Sequence, residues 1–188
     1  PKYELAMHFY ITAATLGNED AILVIANKYK TGDRLEKSII NALNWWNKII
    51  DTNVCAQIEV AECYLNGNGV AKDEKLAFKH FLNAAKNDNP EAAYNLAYCY
   101  EYGIYVETDY VEAASWYHKA ADKGLPQAML QLGYFYEVGE GVELNYETSV
   151  YWYQQASDMN YVPAHCYLGY CYEIGQGVEK DLEKAKQL

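Results

Sequence analysis

The sequence predicts an all-α fold, a right-handed α-α superhelix: a solenoid of antiparallel helix pairs in about five repeats of ~36 residues. Three observations carry this. The motif G-x-G-V-x-x-D/N stands at 67–73, 139–145 and 175–181, with a weaker copy at 103–109 and a degenerate one at 32–38. Before each copy, small and apolar residues recur at helical spacing. Each copy closes on a residue type that starts helices.

The helix before the motif, helix A, begins near residues 19, 54, 90, 126 and 162. A small residue opens its ladder at Ala21, Ala56, Ala92, Ala128 and Ala164, followed four positions on by Ile25, Val60, Leu96, Leu132 and Leu168. The next residue is always small (Ala26, Ala61, Ala97, Gly133, Gly169), and three further on comes Tyr29, Tyr64, Tyr100, Tyr136 or Tyr172. Offsets of four, one and three share one helical stripe, and the small residue lets a neighbouring helix approach closely.

The motif then punctuates. Gly32, Gly67, Gly103, Gly139 and Gly175 stand where a helix C-cap needs a left-handed residue. Ser38, Asp73, Asp109, Asn145 and Asp181 are N-caps for the second helix, each worth ~1 kcal/mol. Arg34 and Tyr105 replace the second loop glycine, so those two loops are expected to turn differently.

Helix B begins near 3, 38, 73, 109, 145 and 181. It carries an aromatic pair at Phe9–Tyr10, Trp45–Trp46, His80–Phe81, Trp116–Tyr117 and Trp152–Tyr153, and it closes on small residues except at Ile49–Ile50. Pro90 and Pro126 open the following helices A. A single-residue deletion in the period falls within 51–55. The organisation is one array over 1–188: helix B of a partial repeat at 1–17, repeats at about 18–52, 53–88, 89–124 and 125–160, and a partial repeat at 161–188. Both ends fall inside a helical pattern, as expected of a fragment of a longer protein.

The charge balance excludes several functions. Net charge is −11 with a single arginine, Arg34, so the clustered cations that hold phosphates are missing; nucleic acid and anionic membrane surfaces are not expected partners. No apolar run reaches the length of a membrane span, so no membrane insertion is expected. Five cysteines, an odd number, and the lack of an N-x-S/T sequon lean towards a reducing, cytoplasmic compartment. Cys63, Cys99 and Cys171 share one repeat position with Phe135, which points to packing rather than chemistry; Cys55–Cys63 is the one pair to check for disulfide or metal use. No C-x-x-C or H-E-x-x-H is present, and local spacing places no Ser or Cys beside His8, His80, His118 or His165. No metal, cofactor or catalytic residue is expected.

The segments 132–142 (LGYFYEVGEGV), 168–178 (LGYCYEIGQGV) and 113–121 (AASWYHKAA) resemble the Sel1-like repeat, a relative of the tetratricopeptide repeat with a longer, Gly-rich loop. The resemblance covers essentially the whole chain. It implies a non-enzymatic adaptor or scaffold that holds other proteins together. A cysteine-rich branch of the family, described as binding or hydrolysing β-lactams, staples adjacent helices with two Cys eight residues apart. The matching positions here are Ala85 with Ala93, Ala121 with Met129 and Ser157 with His165, which disfavours that branch. Regulation of an attached catalytic domain is the other alternative.

In tetratricopeptide-type repeats helix A lines the concave face. By that analogy two further stripes point inward: Asn27, Glu62, Tyr98, Tyr134, Tyr170 and Lys30, Leu65, Glu101, Glu137, Glu173, bordered by Asn66 and Tyr102. The expected site is therefore Tyr98, Glu101, Tyr102, Tyr134, Glu137, Tyr170 and Glu173. Tyrosine offers broad contact at low rotamer entropy and glutamate offers charge complementarity, so the expected partner is a peptide or protein with basic and apolar residues. Packing between adjacent helices A is the competing role for the same tyrosines.

Overall fold

A computed structural model describes residues 2–188 as helix after helix, with no strand among them. In chain order these are α1 (Lys2–Thr15), α2 (Glu19–Thr31), α3 (Ile39–Trp46), α4 (Val54–Asn66), α5 (Glu74–Ala85), α6 (Pro90–Tyr102), α7 (Tyr110–Asp122), α8 (Pro126–Val138), α9 (Tyr146–Asp158), α10 (Val162–Ile174) and α11 (Leu182–Gln187). Even-numbered helices are the A helices of the repeat and odd-numbered ones the B helices. Two compact units divide the chain, Pro1–Asn87 and Asp88–Leu188.

The helix starts follow the capping chemistry. Ser38, Asp73, Asp109, Asn145 and Asp181 all take extended backbone and accept a hydrogen bond from an amide of the first helical turn. Asn18, Asn53 and Asn89 do the same for α2, α4 and α6, while Leu125 and Tyr161 leave α8 and α10 without a side-chain cap. Every helix A ends on a left-handed glycine whose amide donates back to the carbonyl four residues earlier.

One further bond fixes the loop in all five copies. The amide of the helix-B cap donates to the carbonyl of the stripe tyrosine: Ser38 to Tyr29, Asp73 to Tyr64, Asp109 to Tyr100, Asn145 to Tyr136 and Asp181 to Tyr172, each at 2.9 Å. This corrects the expectation that Arg34 and Tyr105 turn differently. They sit at φ 63° and 65°, beside 74°, 67° and 69° at Gly69, Gly141 and Gly177. The bracketing bonds impose the left-handed conformation whatever the side chain. At Arg34 the guanidinium lies 3.8 Å from the Tyr3 ring centroid on α1, so the side chain makes contact with the preceding helix B. At Gly141 and Gly177 the backbone itself makes that approach.

The deletion in the second repeat shows locally. α3 spans 8 residues where α5, α7 and α9 span 12 or 13. Past Trp46 the chain goes into turns, with Asn53 and Thr52 donating to the Ile49 carbonyl.

The core follows the stripe. Ile25, Leu96, Leu132 and Leu168 are fully buried and Val60 nearly so, as are the second members of four of the five aromatic pairs, Trp46, Phe81, Tyr117 and Tyr153, whereas Tyr10 on α1 is exposed. Burying such a side chain is worth about 2 kcal/mol. The small residue after each leucine has a steric duty that is plainest at Gly133, where an added Cβ would lie 2.5 Å from the buried Tyr153 ring. Gly133→Ala is therefore expected to destabilise the protein. Overpacking costs about 1–3 kcal/mol and outweighs a helix-propensity gain of ~1 kcal/mol; thermal unfolding followed by circular dichroism measures the difference.

Candidate functional site

All seven expected site residues lie in the Asp88–Leu188 unit, on α6, α8 and α10. The tyrosines stand out from the surface. Tyr98, Tyr134 and Tyr170 keep 38%, 38% and 52% of their area exposed, and Tyr102 keeps 57%. Tyr98 and Tyr102 lean on each other with ring centroids 4.4 Å apart.

The glutamates do not form a uniform exposed row, and here the structure departs from the sequence reading. Glu101 is 9% exposed, and its carboxylate accepts a hydrogen bond from the Tyr117 hydroxyl at 2.5 Å. Glu137 is half-buried and accepts from Tyr153 at 2.6 Å. Glu173 is exposed. The cause is register. The second stripe position faces the second aromatic of helix B, 16 residues on. Each repeat fills the two positions with matched chemistry: Lys30 stands over the Trp46 ring at 6.0 Å, Leu65 and Phe81 are both apolar, and Glu101/Tyr117 and Glu137/Tyr153 are acceptor and donor. Glu101 and Glu137 are thus internal acceptors first.

Burial, followed by the adjacent carboxylate, pushes the Tyr117 and Tyr153 hydroxyls well above the ordinary tyrosine range. A tyrosine that holds its proton more tightly when folded stabilises the fold fully below its unfolded pKa of about 10 and loses that contribution as pH rises towards the folded value. Stability is therefore expected to fall above about pH 10, read as a declining unfolding midpoint across an alkaline series, with a smaller decline in Tyr153→Phe.

Two adjoining hollows open on this face. One, of about 520 Å³, is lined by Glu101, Tyr102, Tyr110, Gln131, Tyr134, Glu140 and Tyr167; the other, of about 300 Å³ and more apolar, by Tyr134, Glu137, Cys166, Tyr167 and Tyr170. They share Tyr134 and Tyr167. Tyr167, 43% exposed, was not among the expected residues because its repeat column reads Asn95, Gln131, Tyr167. Its place three residues before Tyr170 on one helix was the available signal. The Tyr102 hydroxyl is pushed up to about 12 by desolvation and the neighbouring Glu101 charge, so it stays a neutral donor.

Elsewhere, one expectation is corrected. Ser157 Oγ and His165 Nδ1 share a hydrogen bond of 2.6 Å across the α9–α10 turn, although they are eight residues apart. Their positions match the cysteine staple of the cysteine-rich branch, and the contact joins the same two helices. Ser157 is buried, which suits a tie rather than a nucleophile. Cys63, Cys99 and Cys171 are buried and Cys55 and Cys166 exposed, with no disulfide among the five; desolvation pushes Cys63 and Cys171 up to about 11. Among the described residues no group of His, Cys, Asp and Glu could hold a metal ion, and no helix is long and apolar enough to cross a membrane.

Capped helix pairs with a left-handed Gly-rich loop and an exposed helix-A face define a helical-repeat protein of the solenoid class. The Sel1 repeat model matches residues 1–18, 56–89, 90–125, 126–161 and 162–188, and the chain belongs to the Sel1 repeat family. The unmatched stretch, 19–55, contains the Arg34 loop and the deletion, yet folds as the pair α2–α3. A Sel1 repeat protein from Oxalobacter formigenes is similar at 32% identity and a TM-score of 0.92, over 98% of this chain and 76% of that one. A protective antigen present in uropathogenic Escherichia coli strains, displaying an SLR fold, is similar at 31% identity and 0.89, over 97% of this chain; the chain spans 39% of that antigen's length. Helicobacter pylori cysteine rich protein B is similar at 25% identity and 0.54, over 68% of this chain and 95% of that one. No curated protein matches the sequence. Sel1 repeats generally mediate protein–protein interactions, typically as non-catalytic scaffolds.

Proposed function

We propose that this protein is a non-enzymatic adaptor that binds a partner peptide or protein along the helix-A face of α6, α8 and α10. The observation that supports this best is the run of large exposed tyrosines, with Tyr102, Tyr134, Tyr167 and Tyr170 lining two joined hollows and Tyr98 leaning on Tyr102 beside them. Such rings give broad contact with little rotamer entropy to lose, and a helical scaffold holds them pre-organised. The partner brings apolar groups to the rings and cations to a chain of net charge −11. That charge acts through the exposed Glu173 and the half-buried Glu140 more than through Glu101 or Glu137. The repeat boundaries near 18, 53, 89, 125 and 161, and the reading of 1–188 as one array, belong to the same proposal, as does a reducing compartment.

Tyr134→Ala tests it. The side chain is part-exposed and touches both hollows, so its loss is expected to change stability by no more than about 1 kcal/mol while weakening partner capture at least several-fold. Unchanged capture by a folded variant contradicts the proposal. Turnover of a chromogenic β-lactam by the wild-type chain would instead favour the cysteine-rich branch's activity.

A further inference from the structure

We infer that the larger hollow, lined by Tyr102, Tyr110, Tyr134, Tyr167, Glu101 and Glu140, is a socket for one arginine side chain of the partner, with the adjoining apolar hollow taking a neighbouring aliphatic residue. This rests on the helix-A face being the recognition face.

The first argument is electrostatic. Glu101 is nine-tenths buried, and its hydrogen-bond partner is a phenol, Tyr117 at 2.5 Å. Among the described residues no lysine, arginine or histidine lies in ion-pair range of it or of Glu140. Neutral donors hold a carboxylate in place and leave its charge uncompensated, and an uncompensated charge out of water is costly. A cation delivered into the hollow offsets that cost and binds there more strongly than at an open surface.

The second argument is the wall. Several of this chain's own cations lie on aromatic faces: Arg34 on Tyr3 at 3.8 Å, Lys48 on Trp45 at 3.7 Å, Lys119 on Trp116 at 3.5 Å and Lys184 on Tyr172 at 4.3 Å. The four tyrosines of the hollow hold no such cation among the described residues. Rings and carboxylates in one hollow suit a guanidinium best: its plane stacks on tyrosine and its fork of donors serves more than one carboxylate, whereas an ammonium is a strongly hydrated point charge. A hollow of about 520 Å³ has room for such a side chain. The second hollow shares Tyr134 and Tyr167 with the first, so one peptide can fill both with adjacent residues.

Blocked tetrapeptides Ala-Arg-Leu-Ala, Ala-Lys-Leu-Ala and Ala-citrulline-Leu-Ala, titrated into the isotope-labelled chain and followed by nuclear magnetic resonance, decide the matter. Citrulline keeps the shape of arginine and removes its charge. The arginine peptide should shift Tyr102, Tyr134 and Tyr167, bind about tenfold more tightly than the citrulline peptide and more tightly than the lysine peptide. Glu140→Gln should erode the arginine advantage and leave the citrulline peptide unaffected. Equal affinities for arginine and citrulline overturn the socket and leave the face standing. No shift at these tyrosines from any peptide also overturns it, and the Tyr134→Ala capture measurement then decides the adaptor reading separately.

Discussion

Gly141→Ala is expected to destabilise the protein by about 3 kcal/mol, lowering its unfolding temperature by roughly 6–12 °C for a chain of this size. Two effects combine. The residue sits at φ 67°, where an added Cβ costs about 1–2 kcal/mol. The Cβ would also lie 2.0 Å from the Tyr110 carbonyl oxygen and 2.3 Å from its carbon, at the first residue of α7. Backbone cannot move aside as a side-chain tip can, so the loop must lift off the preceding helix. Gly69→Ala is the graded control. It has the same left-handed strain at φ 74°, but its Cβ meets the Ile39 side chain at 2.7 Å and no backbone atom nearer than 3.5 Å. It should lose clearly less. Equal losses would mean that left-handed strain alone accounts for both and that close approach of backbones contributes nothing. Arg34 and Tyr105, non-glycine residues held at positive φ, already show that the strain by itself is tolerated.

The second large effect concerns the pair Glu101 and Tyr117. Tyr117→Phe removes the 2.5 Å donor from a nine-tenths-buried carboxylate and should cost about 2–3 kcal/mol. Glu101→Leu strands the fully buried Tyr117 hydroxyl and should cost about 1–3 kcal/mol. The double variant Glu101→Leu/Tyr117→Phe reproduces the residues at the same register in the second full repeat, Leu65 and Phe81. It should cost clearly less than the sum of the two single changes, giving a coupling of about 2 kcal/mol between the two sites. Chemical denaturation of the four proteins measures this. Additive losses would show that the matched pairs are a coincidence of composition and that Glu101 is held by other contacts.

These two results bear on what a single sequence reveals. Helix starts and ends were legible because capping is local: Ser38, Asp73, Asp109, Asn145 and Asp181 bond to amides two or three residues on, and the period makes them recur. The direction of the glutamates was not legible from their own column, since what decides it lies on another helix. Comparing that column with the helix-B aromatics would have exposed it, because Lys with Trp, Leu with Phe and Glu with Tyr change together. The Ser157–His165 tie was hidden differently. Eight residues is not a spacing that brings side chains together on one helix, and only the tight turn between α9 and α10 closes the gap to 2.6 Å. Tyr167 escaped because its column is not uniformly aromatic, although hollows are built from neighbouring columns rather than from one.

The relocation of negative charge changes how binding should be probed. Reversing charge at Glu101 would place a cation beside a buried phenol and test folding before recognition. Glu140 and Glu173 can be reversed with the internal Glu–Tyr pairs left intact. An effect of those changes on association rate, strongest at low salt, is what loosely buried charges contribute.

Recognition by the helix-A tyrosines is best judged by partner capture with three folded proteins side by side: wild type, Tyr134→Ala/Tyr170→Ala, and Tyr151→Ala. Tyr151 lies on the helix-B helix α9 and is 53% exposed, as open as Tyr170 but on another element. All three should show the same helical content. Partners recovered by wild type should be lost or at least tenfold depleted (about 1.4 kcal/mol) with the double variant and retained by Tyr151→Ala. Retention by Tyr134→Ala/Tyr170→Ala, or equal loss with Tyr151→Ala, would contradict recognition by this face.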